Sequence, residues 1–291
     1  MPVPSSNPPP LPGPLVSTGW LAQHLGTPGL LVLDGSWYLP TAARDPRAEF
    51  AAGHIPGARF FDLDQVSDRT TALPHMLPAA EQFTRQMREL GIRRDQEIVV
   101  YDGSGANLSA ARVWWMFRVF GHRAVAVLDG GFGKWVKERR PVETGSSSPA
   151  TPGDFEALLD PRAVRDLALV RANLESRREQ LVDMRPAARF AGREPEPRPG
   201  IRGGHVPGSA SLPYTELVNT DGTLLPPERL RARLTAAGLA LDRPIVATCG
   251  SGTSACALIL ALETLGFHRH AVYDGAWTEW GGRSDTPAET E

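Results

Sequence analysis

The feature that most constrains the fold is an internal duplication. Gly-His-Ile-Pro-Gly at residues 53–57 returns as Gly-His-Val-Pro-Gly at residues 204–208, an offset of 204 − 53 = 151. Two further landmarks recur in the same order, with offsets of 147 and 145 residues: 98–105 with 245–252, and 128–135 with 273–280. Three landmarks with drifting offsets indicate a duplication with small insertions and deletions, so the sequence predicts two similar domains.

Each repeat alternates short apolar runs with longer helical patterns. Apolar runs without polar alternation are typical of strands buried on both faces, as in a parallel sheet covered by helices. The fold class is therefore predicted to be α/β, with a parallel sheet flanked by helices in each of the two tandem domains. The predicted strands are Leu30–Leu33, Ile98–Tyr101, Val125–Leu128, Leu181–Val182, Ile245–Thr248 and Ala271–Tyr273.

The chain of 291 residues is long enough for two hydrophobic cores. Its Pro-rich opening predicts a disordered tail over residues 1–17, and the Gly-Ser-Pro stretch after residue 143 predicts a linker. The predicted domains are then residues 18–143 and 161–291, separated by the linker 144–160, with Asp160 capping a short helix that begins at Pro161.

Charge and composition limit the partners. The net charge is −2, with 31 basic and 33 acidic residues, which predicts no nucleic-acid or membrane partner and favours a small-molecule substrate. No apolar run reaches the 18 or so residues of a membrane span. Only two cysteines occur, Cys249 and Cys256, without metal-ligand spacing, so we expect no metal and a reducing compartment, the cytoplasm or, in a eukaryote, the mitochondrion.

Cys249 is the candidate nucleophile. It follows the strand predicted at Ile245–Thr248 and opens the loop Cys-Gly-Ser-Gly-Thr-Ser, after which a helical pattern begins at Ala255. Loop amides and the positive end of a helix both stabilise a thiolate at such a position. One alternative is a small buried structural cysteine. Another is a cysteine phosphatase, but its phosphate-clamping arginine, six residues after the cysteine, is replaced here by Ala255.

The duplicated domains and the cysteine loop together resemble the rhodanese superfamily of sulfurtransferases, from about residue 18 to residue 285. The loop is similar to that of members that use 3-mercaptopyruvate, Cys-Gly-Ser-Gly-Val-Thr-Ala, whereas members that use thiosulfate carry Cys-Arg-Lys-Gly-Val-Thr-Ala. The loop here contains no positive charge and departs from that pattern at Thr253 and Ser254.

The resemblance implies sulfur transfer from 3-mercaptopyruvate to Cys249 as a persulfide, with release of pyruvate. A thiol acceptor, such as thioredoxin or a small thiol, or cyanide then takes the sulfur, and no cofactor is required. The slot of the cysteine in the first repeat holds Asp102, so only the second domain is expected to be catalytic. A thiosulfate sulfurtransferase and a non-enzymatic rhodanese-like interaction module are the alternatives.

The resemblance also assigns roles to individual residues. Ser251, His75 and Asp64 are expected to form a proton relay, and Arg189 and Arg198 are expected to bind the substrate carboxylate. The remaining loop residues, Gly250, Gly252, Thr253 and Ser254, are expected to contact the substrate. Cys256 is predicted to be buried, with a redox partnership with Cys249 as the alternative.

Overall fold

The structure, a computed structural model, describes residues 8, 10–147 and 151–290. The chain divides into two compact units. Unit 1 contains residues up to 66, residues 78–159 and residues 220–223, and unit 2 contains residues 67–77, 160–219 and 224 onward. Each unit thus includes a short segment from the other half of the sequence.

Unit 1 has one five-stranded sheet within the described residues, in the order β1-β5-β4-β2-β3, with every neighbouring pair parallel. Its strands are β1 (Leu15–Val16), β2 (Leu30–Asp34), β3 (Arg59–Phe60), β4 (Glu97–Tyr101) and β5 (Val125–Leu128). Its helices are α1 (Thr18–His24), α2 (Pro46–Ala52), α3 (Leu63–Val66), α4 (Ala80–Glu89), α5 (Leu108–Val119) and α6 (Gly131–Lys137), with a 3-10 turn at Pro40–Ala42.

Unit 2 repeats this topology over its described residues, in the order β6-β10-β9-β7-β8, again with parallel neighbours. Its strands are β6 (Val164–Arg165), β7 (Gln180–Asp183), β8 (Ala210–Ser211), β9 (Ile245–Thr248) and β10 (His270–Tyr273). Its helices are α7 (Leu167–Ser176), α8 (Ala187–Phe190), α9 (Pro227–Ala236), α10 (Ala255–Thr264) and α11 (Ala276–Gly281), with 3-10 turns at Pro161–Ala163 and Tyr214–Leu217. The predicted α/β class with two tandem domains is confirmed.

The central strands are buried along nearly their whole length, as their uninterrupted apolar sequences predict. Every residue of β5 and β9 is buried, and the helices α5 and α10 that cover them are buried almost all round. A strand with no polar face needs a helix on each side of the sheet, so the sequence pattern and the layered architecture have the same cause.

Two details of the domain boundaries differ from the prediction. The disordered tail was predicted to extend to residue 17, and this end point was wrong. Leu15–Val16 forms the edge strand β1, which pairs in parallel with Val127 and Leu128. Residues 1–7 and 9 lie outside the described residues. The predicted linker contributes to unit 1 as far as Leu159: Phe155 is 1% exposed, and its amide donates to the carbonyl of Ile92 at 3.2 Å.

Candidate functional site

The cysteine loop of unit 2 leaves the carboxyl end of the central strand β9. Cys249 is 2% exposed and directly follows Thr248, the last residue of that strand. Its carbonyl accepts a hydrogen bond of 2.9 Å from the amide of Trp277, and the carbonyl of Gly250 accepts one of 3.0 Å from the amide of Thr278. The first turn of α11 therefore fixes the backbone at the start of the loop, and α10 begins where the loop ends.

The glycines of the loop do two different things. Gly252 has a φ of +75°, a left-handed conformation that glycine adopts without steric cost, so it bends the chain back towards α10. Gly250 has no such requirement, and a Cβ placed there meets no atom within 4 Å. The conformation of the loop thus depends on Gly252, whereas Gly250 leaves open space beside the cysteine.

Cys256 is completely buried in the first turn of α10, as predicted. Its Sγ donates a hydrogen bond of 3.2 Å to the carbonyl of Gly252. The second cysteine therefore anchors the bend of the loop from within the unit, and this contact gives it a structural reason to be there.

His75 lies in the segment 67–77, which comes from the first half of the sequence but belongs to unit 2. Its Nδ1 lies 3.1 Å from Oγ of Ser251, the pair expected from the resemblance. The same Nδ1 lies 3.1 Å from Oγ1 of Thr253, a contact that the spacing of the residues did not indicate. His75 is 4% exposed and has a φ of +60°, which is unusual for a residue other than glycine.

The backbone on both sides of His75 is fixed within unit 2. The amide of Leu77 donates a hydrogen bond of 2.8 Å to Oδ2 of Asp274, the residue that follows strand β10. The amide of Asp68 donates one of 2.9 Å to the carbonyl of Met76, which closes residues 68–76 into a loop. These bonds hold His75 beside the cysteine loop, near the carboxyl end of β10, the strand next to β9.

Asp64, the third residue of the expected relay, lies in helix α3 of unit 1. Its Oδ2 accepts a hydrogen bond of 3.1 Å from Nε1 of Trp37. The carboxylate therefore has an indole partner that the sequence did not suggest, and its place in a relay stays a prediction.

The arginine segment follows β7, the strand next to β9. Asp183, the last residue of β7, is in register with Thr248 of β9, and the amide of Met184 donates to the carbonyl of Thr248 at 2.9 Å. Because parallel strands end at the same edge of a sheet, residues 185 onward start beside the cysteine loop. Arg189 lies in α8 with 18% of its side chain exposed, and its Nη1 is 3.8 Å from Oε2 of Glu196. Arg198 is partly buried further along.

Arg185 is the residue of this segment that sequence reasoning passed over. Its guanidinium bonds the carboxylates of Asp183 at 2.6 Å and Glu196 at 2.7 Å, and it lies 4.6 Å from the ring centroid of Trp277. A third partner is the carbonyl of Gly204, at 2.7 Å. Burial opposes the charge, but the two carboxylates outweigh it and raise the pKa of Arg185 above its usual value. A signal was present in the sequence, because Asp183 lies two residues before Arg185 and Glu196 lies inside the segment.

Unit 1 provides an internal comparison for the cysteine loop. Asp102 follows β4 as Cys249 follows β9, and its carbonyl accepts from the amide of Phe132 as that of Cys249 does from Trp277. The buried carboxylate of Asp102 accepts hydrogen bonds of 2.8 Å from the amides of both Ser104 and Ala110. The loop between the central strand β4 and the following helix α5 thus holds a carboxyl group by backbone amides.

The described part of the chain offers neither a metal site nor a membrane-spanning helix. No cluster of three or more histidine, cysteine or acidic side chains there could hold a metal ion. Among those same residues, no helix has both the length and the apolarity required to cross a bilayer.

The fold and the loop define a class of protein that the comparisons identify. The family model of the rhodanese-like domain matches the sequence twice, at residues 17–138 and at residues 166–283. The chain therefore belongs to the rhodanese family. It is 47% identical over 271 residues to the human 3-mercaptopyruvate sulfurtransferase, covering 91% of each chain. It is 45% identical over 272 residues to the thiosulfate sulfurtransferase of Cricetulus griseus, again covering 91% of each chain.

The solved structures give the same relationship. The crystal structure of SseA from Escherichia coli, described as a 3-mercaptopyruvate sulfotransferase, superposes with a TM-score of 0.83 at 39% identity. The superposition covers 91% of this chain and 99% of SseA. The resemblance found in the sequence is thereby confirmed at the level of family and fold.

Proposed function

We propose that this protein transfers sulfur from 3-mercaptopyruvate to a thiol acceptor through a persulfide on Cys249. The observation that carries the proposal is the position of this cysteine. Cys249 follows β9 in unit 2 as Asp102 follows β4 in unit 1, and backbone amides bond the carboxyl group of Asp102 at that position. A loop of this kind favours a negative charge, and the thiolate is the nucleophilic form of cysteine.

In the first half-reaction the thiolate of Cys249 attacks the sulfur of 3-mercaptopyruvate. The new S–S bond uses the electron pair of the thiolate, and the electron pair of the broken C–S bond remains with the substrate carbon. The organic fragment therefore leaves as the enolate of pyruvate, which takes up a proton. The protein retains one sulfur atom as a persulfide, and no external oxidant or reductant is needed.

A proton must reach the enolate as it leaves. The proposed donor is Ser251, whose hydroxyl is 3.1 Å from Nδ1 of His75, so a proton can pass between the ring and the hydroxyl. The resemblance gives Asp64 the third place in this relay.

Arg189 and Arg198 are proposed to bind the substrate carboxylate. Arg189 is the better supported of the two, since its segment starts beside the cysteine loop and its guanidinium makes a long ion pair of 3.8 Å with Glu196. A guanidinium can bond a carboxylate through two parallel N–H groups, which fixes the orientation of the substrate.

In the second half-reaction the thiolate of an acceptor attacks the outer sulfur of the persulfide and restores the thiolate of Cys249. Thioredoxin and small thiols are the proposed acceptors, and cyanide would give thiocyanate. We place the reaction in a reducing compartment, the cytoplasm or a mitochondrion, because Cys249 and Cys256 form no disulfide and the chemistry requires a thiolate.

3-Mercaptopyruvate is preferred to thiosulfate as the donor because residues 249–254 contain no basic side chain. Thiosulfate is a compact dianion that would have to be desolvated beside the cysteine without a neutralising charge in the loop. Mercaptopyruvate places its carboxylate away from the reacting sulfur, where arginines outside the loop can bind it.

The test combines mass spectrometry with steady-state kinetics on both donors. After incubation with mercaptopyruvate, the peptide that contains Cys249 should gain one sulfur atom, and turnover on mercaptopyruvate should exceed that on thiosulfate. Cys249→Ser should abolish both the adduct and the turnover. The matched control is Cys256→Ser, which should retain most of the activity. Adduct formation on Cys256 alone, or full activity of Cys249→Ser, would refute the assignment, and faster turnover of thiosulfate would refute the donor.

A further inference from the structure

Two hydroxyl groups share a single nitrogen atom in unit 2. Oγ of Ser251 and Oγ1 of Thr253 each lie 3.1 Å from Nδ1 of His75. Both distances are at the long end for hydrogen bonds that involve a hydroxyl. A neutral imidazole nitrogen has either one lone pair or one hydrogen, so equal, long distances are what two hydroxyls competing for that one position would give.

All three side chains are withdrawn from solvent. His75 is 4% exposed, Ser251 is 6% exposed and Thr253 is 7% exposed. Water therefore cannot readily replace a partner that turns away from His75, and a buried ring nitrogen without a partner is costly. The left-handed backbone of His75 adds to this demand, because a residue in that conformation must be held by its surroundings.

The relay gives Ser251 two tasks that its single hydroxyl hydrogen cannot perform together. While that hydrogen is directed at the departing enolate, it cannot also be donated to the lone pair on Nδ1 of His75. Thr253 carries the second hydroxyl of the pair, and a hydroxyl can donate or accept according to the protonation state of the ring. It can therefore keep Nδ1 bonded during the step in which Ser251 serves the substrate.

We propose that Thr253 is a positioning residue for His75, and that its hydroxyl holds the imidazole ring by partly replacing Ser251 as the hydrogen-bond partner of Nδ1. This inference rests on the relay of the proposed function. It changes the role expected for Thr253, from contacting the substrate to acting through the histidine. It also predicts that Ser251 and Thr253 support each other, so that losing both costs more than the two separate losses combined.

The experiment is a double-mutant cycle on turnover of mercaptopyruvate. Thr253→Val replaces the hydroxyl by a methyl group of nearly the same size, and Ser251→Ala removes the other hydroxyl. We expect each single variant to lower kcat by roughly 3- to 10-fold, the usual range for one modest hydrogen bond. The double variant should lose about a further tenfold beyond the product of the two single losses, and should approach the kcat of His75→Ala.

Two further measurements separate the hydroxyl from the shape of the side chain. Thr253→Ser keeps a hydroxyl and should restore kcat to within about twofold of the native protein, as expected when the hydrogen bond is retained. KM for mercaptopyruvate should stay within about twofold in both the Val and the Ser variants, because Thr253 acts through His75 and not through the substrate. Thr253→Ala is a second hydroxyl-free variant should the Val variant fold poorly.

The outcomes distinguish this inference from the proposal on which it rests. If Cys249→Ser remains active, the proposed function fails. If His75→Ala leaves kcat unchanged, the relay fails and the role of Thr253 fails with it. If His75→Ala lowers kcat but the double variant is no slower than Ser251→Ala, the relay stands and the inference on Thr253 is overturned. Equal losses in the Val and Ser variants would also overturn it, because the hydroxyl would then not be the active feature.

Discussion

The buried ion pairs of Arg185 should make this residue a determinant of stability, in contrast to the other arginines of its segment. Its side chain is 2% exposed, and its two carboxylate partners, Asp183 and Glu196, are 1% and 4% exposed. Arg185→Ala would leave both carboxylates inside unit 2 without their cation. We expect a large loss of folding free energy, confined to this unit.

The magnitude follows from the geometry. Breaking a buried ion pair by removing one partner costs about 3–5 kcal/mol, because an uncompensated charge stays buried. The upper part of this range applies here, since one guanidinium serves both carboxylates and also bonds the carbonyl of Gly204. For a unit of this size each kcal/mol lowers the melting temperature by roughly 2–4 °C, so the transition of unit 2 should fall by roughly 8–20 °C.

Differential scanning calorimetry is the suitable assay, because two units need not unfold in one transition. Arg185→Lys should recover part of the loss, since an ammonium group restores the charge but cannot form the same fork of hydrogen bonds. Arg189→Ala is the matched control, with its side chain 18% exposed and one ion pair of 3.8 Å, and it should change the melting temperature by less than about 2 °C. A normal transition for Arg185→Ala, or an equal fall for Arg189→Ala, would refute the reasoning.

Two other predictions concern binding and pH. Arg189→Ala and Arg198→Ala should each raise KM for mercaptopyruvate by about tenfold to a hundredfold with little change in kcat, because both arginines are proposed to bind a carboxylate that does not react. Steady-state kinetics measure both constants, and a fall in kcat alone would contradict this prediction. Burial raises the pKa of Asp34 to about 6, against hydrogen bonds from Ser36 that lower it. The folded protein therefore retains a proton that the unfolded chain releases above pH ~4, and stability falls by roughly 2–3 kcal/mol as pH rises from about 4 to 6. Asp34→Asn should lack this fall in urea titrations across that range, and parallel pH profiles for the two proteins would contradict the assignment.

The fold was largely predictable because its determinants are local and repeated. An apolar run with no polar alternation predicts a doubly covered strand wherever it occurs, and the runs at 98–101 and 245–248 became the strands β4 and β9. The edge strand Leu15–Val16 could not be found in this way, since two residues carry no periodicity and form a strand only through pairing with Val127 and Leu128.

The site was predictable to the extent that it depends on one loop. The position of Cys249 follows from the strand before it and the helix after it, and the pairing of His75 with Ser251 followed from a family resemblance. The contact between Thr253 and His75 depends on a rotamer and on the left-handed backbone of the histidine, which no spacing encodes. The burial of Arg185 depends on the packing of α11 and on Glu196, which lies 11 residues away in the sequence.

The exchange of short segments between the two units has a consequence for how the gene can be divided. The sequence repeats with a period close to 150 residues, which suggests two modules that could be separated near residue 160. His75, however, lies in the segment 67–77, which belongs to unit 2, while residues 220–223 belong to unit 1. A fragment that starts at residue 160 would contain Cys249 without His75, and the other fragment would lack four residues of its own unit. Because each unit takes a short segment from the other half of the sequence, a cut near residue 160 would remove part of both units.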